Sequence, residues 1–214
     1  MALTLQDRLD RLGMRLSRRR RIDGLWLGVF GPKRDDPLLD RVEAALKLIK
    51  DHDAVRYRRL LRDFDRIWIR VLPGPRGTFN PRLRTCSLEY RLVGKASVEA
   101  IASTIVHEAA HAQPRLLKFG YPAALQLRIE KICVRQQLAF ADRVPGGKKL
   151  RKRLEAAVSL PESAWTPAVL SKIAADGELA AARYVGLPDW LTRSARVAGR
   201  TIGRLLGMPR SRRA

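Results

Sequence analysis

A row of leucines near the N-terminus is the first helical pattern in the chain. Its members, at spacings of 4, 3 and 4 residues, are Leu5, Leu9, Leu12 and Leu16. This spacing places them on one side of an α-helix. A basic run, Arg18–Arg21, follows at once, and turn-forming residues occupy positions 31–37. We therefore expect residues 1–35 to form a basic amphipathic extension, with the ordered core beginning near residue 36.

The next part of the chain changes from helical to alternating patterns. Apolar residues from 38 to 49 follow helical spacing, and a second short helix is expected over residues 53–62. Residues 66–71 and 86–92 instead alternate between apolar and polar side chains, as a half-buried strand does. These stretches predict a small antiparallel sheet with little room for more than three strands.

Helical patterns resume after the predicted strands and continue to the C-terminus. Ser97 is a suitable N-cap for a helix that runs to about Ala112, and a further helix is expected over residues 122–143. The sequence thus predicts a mainly helical α+β fold in which the sheet packs beside the helix that begins after Ser97. Residues 36–145 form the expected domain, and residues 146–214 form a basic helical C-terminal extension.

Positive charge is the unusual feature of the composition. The 214 residues include 43 Lys+Arg and 21 Asp+Glu, which gives a formal net charge of +22. Such a charge attracts anionic partners, although a genome that favours arginine accounts for part of the excess. In the tail, an apolar helical stripe lies opposite a cationic one, Arg193, Arg196, Arg200 and Arg204. We expect the Arg-rich ends to bind nucleic acid or an anionic membrane surface, with docking of the tail on its own domain as the alternative.

Cysteine content and hydropathy indicate the compartment. Cys86 and Cys133 are too few for a disulfide framework and lie in apolar surroundings, which favours buried free thiols. The apolar stretch 25–30 is shorter than the core of a signal peptide, and no uncharged run approaches the length of a membrane span. We predict a cytoplasmic protein without a transmembrane segment.

The segment from Thr104 to Ala112 carries the chemistry, because it contains the pattern H-E-x-x-H. His107 and His111 are four residues apart, so on a helix their imidazoles share one face and can bind one metal ion. Zn²⁺ prefers such nitrogen ligands, and a catalytic site takes three protein ligands and leaves a position for water. Glu108 is placed to accept a proton from that water as a general base.

A third metal ligand is needed, and Glu130 is the best candidate. It is the one acidic residue between His111 and Phe140. On a helix it lies opposite Arg128 and Arg135, so it faces inward, where a carboxylate is costly unless it is paired or binds a metal. A salt bridge to a buried arginine is the alternative interpretation. The two other residues considered as ligands are His52, in a charged turn, and Cys133.

The motif resembles the active-site helix of the zincin metallopeptidases, which carry Thr-x-x-H-E-x-x-H-Ala patterns like Thr104 to Ala112. With Glu130 as the third ligand, the chain is similar to the gluzincin branch, over residues 66–143 at most. The Gly and His that metzincins place soon after the motif are absent, as is the downstream histidine of the SprT-like peptidases. The resemblance implies a zinc-dependent peptidase acting on peptide or protein substrates, with a strand near residues 77–90 beside the active-site helix.

Two points stay open from the sequence. Tyr121 follows Gly120 near the motif and is a candidate to stabilise the oxyanion of the transition state, although packing is the common role of such a tyrosine.

Two other functions also fit the sequence. One is a nucleic-acid- or membrane-surface-binding protein with a structural zinc, and the other is an inactive relative that binds peptides without cutting them.

Overall fold

The computed structural model describes residues 4–31, 36–72, 76–113 and 123–159. Within these ranges the chain forms seven helices and one five-stranded sheet. The predicted class, a mainly helical α+β fold, is confirmed.

The strands form one mixed sheet. In chain order they are β1 (Arg18–Ile22), β2 (Leu25–Phe30), β3 (Arg66–Arg70), β4 (Gly77–Asn80) and β5 (Thr85–Glu89). Their spatial order is β1-β2-β3-β5-β4. The neighbours β2, β3 and β5 run parallel, while β1 and β4 pair antiparallel at the two edges. The expectation of a small antiparallel sheet with at most three strands is wrong, because the central pairs are parallel and two strands precede residue 36.

Those two strands lie within the predicted N-terminal extension. β1 consists of four arginines and an isoleucine, so it shows no apolar alternation. β2 is a continuous apolar stretch, and its Leu25, Leu27 and Val29 are buried in the main core. The core therefore includes residues before 36, contrary to the expected start, since a strand whose two faces are both covered needs no polar face.

The helices follow the predicted patterns closely, with one addition. In chain order they are α1 (Leu5–Leu16), α2 (Asp36–His52), α3 (Ala54–Asp63), α4 (Tyr90–Lys95), α5 (Val98–His111), α6 (Ala123–Ala141) and α7 (Gly147–Val158). The addition is α4, which replaces the second half of the alternating stretch 86–92. The Glu89 carboxylate accepts a hydrogen bond from the backbone N–H of Leu92, which ends β5 and caps α4. Among the described helices, none is both long enough and apolar enough to cross a membrane.

The main core lies between one face of the sheet and the helices α2, α3, α4, α5, α6 and α7. Ile67 and Ile69 of β3 supply it from the sheet, and Phe140 of α6 supplies it from the helices. Leu150 of α7 is also buried there, so the predicted C-terminal extension begins inside the fold. Residues 160–214, with the predicted cationic stripe, lie outside the described residues.

The opposite face of the sheet is covered by α1. Met14 packs with Trp68 and Leu83, and the Trp68 indole N–H donates a hydrogen bond of 2.9 Å to Ser17 Oγ. A Cβ atom at Gly13 would lie 2.8 Å from the Trp68 ring, so glycine there lets α1 approach the sheet closely. Because side chains alternate along β3, Trp68 faces α1 while its neighbours face the main core.

The side of α1 that contacts the sheet is acidic. Asp7 and Asp10 are only 3% and 6% exposed. Asp7 accepts a hydrogen bond of 2.9 Å from the Asn80 amide, and Asp10 forms an ion pair of 2.9 Å with Arg70. The four leucines point the other way and are exposed: Leu5 (74%), Leu9 (53%), Leu12 (53%) and Leu16 (68%). The helix thus packs on the sheet through its polar side and leaves its apolar side uncovered among the described residues.

Candidate metal centre

The H-E-x-x-H segment lies in the last turns of α5, as predicted. Ser97 caps this helix by accepting a hydrogen bond of 3.3 Å from the backbone N–H of Ala100. The helix is buried along most of its length, with Ile101 and Ile105 fully enclosed. Its position against the core fixes the direction in which His107, Glu108 and His111 project.

Glu130 reaches the site from α6, which packs along α5. Arg128, Lys131 and Arg135 are exposed, as the predicted solvent face requires. The Glu130 side chain lies on the opposite side of α6 and is 26% exposed. The predicted inward orientation of this carboxylate is confirmed.

Three donor groups converge at one point. The Nε2 atoms of His107 and His111 are 3.1 Å apart. One Glu130 carboxylate oxygen lies 3.2 Å from His107 Nε2, and the other lies 3.5 Å from His111 Nε2. Zinc bonds to nitrogen and oxygen of about 2.0–2.1 Å at tetrahedral angles require ligand atoms about 3.3–3.4 Å apart. The separations lie close to this value, with one Glu130 oxygen facing each imidazole, so the three residues are candidate ligands for one zinc ion.

Cys133 lies one turn beyond Glu130 on α6. Its sulfur and the nearest nitrogens of His107 and His111 all lie within 4.8 Å of one another. Burial, together with the charges of Glu130 and Glu108, raises the pKa of this thiol, which opposes the thiolate that a metal ligand requires. Glu130 lies 3.2 and 3.5 Å from the two Nε2 atoms, and its lowered pKa keeps it ionised, so it is the better third donor. His52, at the C-terminal end of α2, is exposed and does not belong to this group.

The protonation states of the donor groups suit a cation. Burial lowers the pKa of His111 to about 4, which keeps its imidazole neutral. At Glu130 burial favours the neutral acid, but the hydrogen bond from His107 and the charges of both histidines outweigh it and lower its pKa. At His107 burial is likewise outweighed, by the hydrogen bond to Glu130 and the charges of Glu108 and Glu130, so its pKa is raised. A cation at the site would take the place of the proton on His107.

Gln137 holds His107 in position, a role that the sequence did not reveal. The Gln137 amide nitrogen donates hydrogen bonds to the carbonyl oxygen of Ser103 (3.1 Å) and to its hydroxyl (2.9 Å). Its Oε1 therefore faces His107 Nδ1, at 3.0 Å, and can only accept a hydrogen bond. Nδ1 must carry the hydrogen, which leaves Nε2 available to the metal. The available signal was spacing, since Gln137 follows Glu130 by two helical turns on the same face.

Glu108 lies beside the donor groups and is almost fully shielded from solvent. It is 5% exposed, and burial raises the pKa of its carboxyl to about 7. Its carboxylate approaches the backbone of β4, where a Cβ atom at Gly77 would lie 3.0 Å from Glu108 Oε1. The same Cβ would lie 3.0 Å from Thr104 Cγ2. A side chain at position 77 would therefore require Glu108 and Thr104 to shift by a few tenths of an ångström, a close approach that the motif alone did not reveal.

These groups open into a cleft of about 580 Å³. Its walls come from β4, α5, α6 and α7, and they include Phe79, Val134, Arg153 and Leu154. β4, within the predicted segment 77–90, thus lies beside the candidate metal ligands. Tyr121, the predicted oxyanion stabiliser, lies outside the described residues.

Comparison with known proteins gives no relative for this chain. No protein-family model, no curated protein and no solved structure matches it. The donor groups and the cleft are therefore the observations that bear on its function.

Proposed function

We propose that this protein is a zinc-dependent peptidase in which His107, His111 and Glu130 bind the metal and Glu108 is the general base. The convergence of the two Nε2 atoms and the Glu130 carboxylate, with separations of 3.1, 3.2 and 3.5 Å, carries this proposal. The three donors lie at the wall of a cleft that Glu108 also lines. A buried ion pair with no access to solvent would support a structural role instead.

Each residue has a defined task in hydrolysis. When bound, Zn²⁺ polarises the substrate carbonyl and makes a water molecule more acidic. His107 and His111 bind through Nε2, and Gln137 keeps the His107 ring in the required tautomer. Glu130 supplies a negative charge that offsets part of the charge of the metal.

Glu108 moves the proton. Its carboxylate lines the cleft beside the proposed ligands, where it can accept a proton from the attacking water and release it again. That proton passes to the nitrogen of the leaving amine as the C–N bond breaks, and the oxygen of the water remains in the new carboxylate. Because Glu108 is almost fully buried, bulk water does not compete for this transfer.

The edge strand β4 supports a peptide as the substrate. It pairs with β5 on one side, and no described strand pairs with its other side. An extended peptide can add its main chain to such an edge, which selects for backbone rather than for sequence. Gly77, Thr78 and Phe79 also line the cleft, so a peptide paired there would pass beside Glu108.

The decisive experiment compares two glutamine substitutions on α5. Glu108→Gln should lower peptide hydrolysis by at least about a hundredfold, because the proton acceptor is lost, while the zinc content stays at one ion per chain. The control is Glu99→Gln, which lies in the first turn of the same helix and does not line the cleft. Hydrolysis of a fluorogenic peptide library and metal analysis are the measurements. A Glu108→Gln variant with full activity, or wild-type protein without bound transition metal, would refute the proposal.

A structural zinc is the second candidate, and the position of Cys133 favours it. If Cys133 were a fourth ligand, the open position would close and hydrolysis would be excluded. Cys133→Ala separates the two functions. A peptidase keeps its zinc and its activity in this variant, whereas a structural centre loses zinc and melts at a lower temperature.

A further inference from the structure

The orientation of α1 is the reverse of that expected for a helix on a sheet. A surface helix normally buries its apolar stripe, but α1 buries Asp7 and Asp10 and exposes its leucines. At 100° per residue, the leucine row is centred about 180° from Met14, the residue that packs on Trp68. The leucines therefore point directly away from the sheet, along about 18 Å of helix.

Arginines border this leucine row on one side. Arg8, Arg11 and Arg15 are exposed and lie about 70–130° from the centre of the row. β1 follows α1 directly and adds the exposed Arg19 and Arg21 at the edge of the sheet. The acids of α1 cannot neutralise this surface, because Asp7 and Asp10 are buried in contacts with the sheet and with residues 80–82.

A second copy of the chain fits this surface poorly. If two α1 helices met antiparallel about a two-fold axis, the arginines of one copy would face those of the other. If they met parallel, the arginines would face Gln6 and Gly13, and the helix has no free acid to pair with them. The phosphates of a nucleic acid would pair with the arginines, but they would make no favourable contact with the four leucines.

An anionic lipid surface is complementary both to the exposed leucines and to the arginines beside them. Leucines gain free energy when they enter the boundary between head groups and acyl chains, and arginines gain it from anionic head groups. We infer that α1, with the adjoining β1, binds this protein to anionic membranes, with the helix lying in the plane of the surface. This inference does not depend on the proposed peptidase activity, since the sheet separates α1 from the helices that hold the metal centre.

Vesicle co-sedimentation of the full chain tests this inference. The probes are phosphatidylcholine vesicles and vesicles containing roughly 30% phosphatidylserine. We expect binding to the anionic vesicles that is at least about tenfold tighter and that weakens as salt is added. Equal binding to both vesicle types, or binding to neither, would overturn the inference.

Two sets of substitutions separate the apolar and cationic contributions. Leu9→Gln with Leu12→Gln should weaken vesicle binding at least about tenfold, because it removes the centre of the leucine row. Arg8→Gln, Arg11→Gln and Arg15→Gln should each weaken binding to anionic vesicles about fivefold. The matched controls, Val55→Gln, Arg58→Gln and Arg59→Gln, are exposed positions on α3, which packs on the other face of the sheet. The controls should bind as the unmodified chain does.

Two further measurements exclude other occupants of the leucine row. If residues 160–214 covered the row, Leu9→Gln with Leu12→Gln would lower the melting temperature by several degrees. If a second copy covered it, the unmodified chain would sediment as a dimer and the leucine variant as a monomer. Either result, or binding of duplex DNA that depends on the leucines, would overturn the membrane assignment. The pair Leu5→Gln with Leu16→Gln, the most exposed leucines, repeats the test should the first pair fold poorly.

Discussion

Two residues outside the H-E-x-x-H motif contact the residues proposed to bind and use the metal. Gly77 and Gln137 flank the H-E-x-x-H segment from β4 and α6, and neither belongs to the motif. Gly77 leaves room for the Glu108 carboxylate, and Gln137 sets the tautomer of His107. Substitution of Gly77 should therefore change turnover, whereas substitution of Gln137 should change metal affinity.

Gly77→Ala should reduce turnover while leaving zinc bound. The added methyl group would press on Glu108 Oε1 and Thr104 Cγ2, each 3.0 Å away, so the general base must move. We expect kcat to fall by roughly tenfold to a hundredfold. The control is Gly94→Ala, where the added Cβ meets only Leu38 Cδ2 at an ordinary 3.8 Å. An active Gly77→Ala enzyme would show that Glu108 is not held by this contact.

Gln137→Leu should weaken zinc binding by about tenfold to a hundredfold, because His107 loses the acceptor that orients it. Competition with a chromophoric chelator measures the affinity. Gln136→Leu is the matched control, since the Gln136 amide oxygen accepts a hydrogen bond from Arg56 and does not line the cleft. Equal affinities in the two variants would remove Gln137 from the metal centre.

At the scale of elements, the helices were predictable and the first half of the sheet was not. The helical patterns of α1, α2, α3, α5 and α6 are periodic in the sequence because each helix has distinct faces. β1 is almost entirely arginine, and β2 is apolar on both faces, so neither alternates. A local signal was present, since Asp23 and Gly24 have positive φ values of 48° and 83° and form a two-residue hairpin turn.

The site was predictable to the extent that its residues share a helix face. His107, Glu108 and His111 follow from one spacing, and the inward position of Glu130 follows from the exposed arginines around it on α6. Gly77 and Gln137 reach the site through tertiary packing, from elements 30 residues away from the motif in each direction. The spacing of Gln137 from Glu130 indicates only a shared helix face, and no local pattern identifies its contact with His107 or that of Gly77 with Glu108.

The attachment of α1 should depend on pH. A hydrogen bond from Asn80, followed by those from Thr4, holds the pKa of Asp7 below its ordinary value. A carboxyl group whose pKa is lower in the folded than in the unfolded state stabilises the fold at pH values above its unfolded pKa of about 4. This stabilisation is lost as the pH falls through the pKa of the folded state. The melting temperature of the Asp7→Asn variant should therefore be lower than that of the unmodified chain at pH 7. The two melting temperatures should converge at pH values low enough to protonate Asp7 in the folded chain. A constant difference across the range would show that Asp7 acts through its shape alone.

At the scale of the whole molecule, the main core and the metal centre are separate. The core between the sheet and the helices contains none of the three side chains proposed to bind the metal, although it surrounds the helix that carries two of them. Most of the apolar burial that stabilises the fold therefore lies away from the proposed zinc site.

Removal of the metal should lower stability without unfolding the chain. Saturating chelator should reduce the melting temperature, since a ligand that binds only the folded state stabilises it, and should leave the far-ultraviolet circular dichroism unchanged at 25 °C. Refilling with zinc should restore both stability and hydrolysis. Loss of the helical signal on chelation would instead support the structural zinc centre.

Because Gly77 contacts Glu108, the metal ligands and the surroundings of the base lie on different elements and can change independently in evolution. The proposed metal ligands lie on α5 and α6, whereas the space around the proposed base depends on β4 at the edge of the sheet. A lineage could therefore lose catalysis by one substitution on that strand and still carry zinc. Retention of the histidines would then say little about activity, and the residue facing Glu108 would be the better diagnostic.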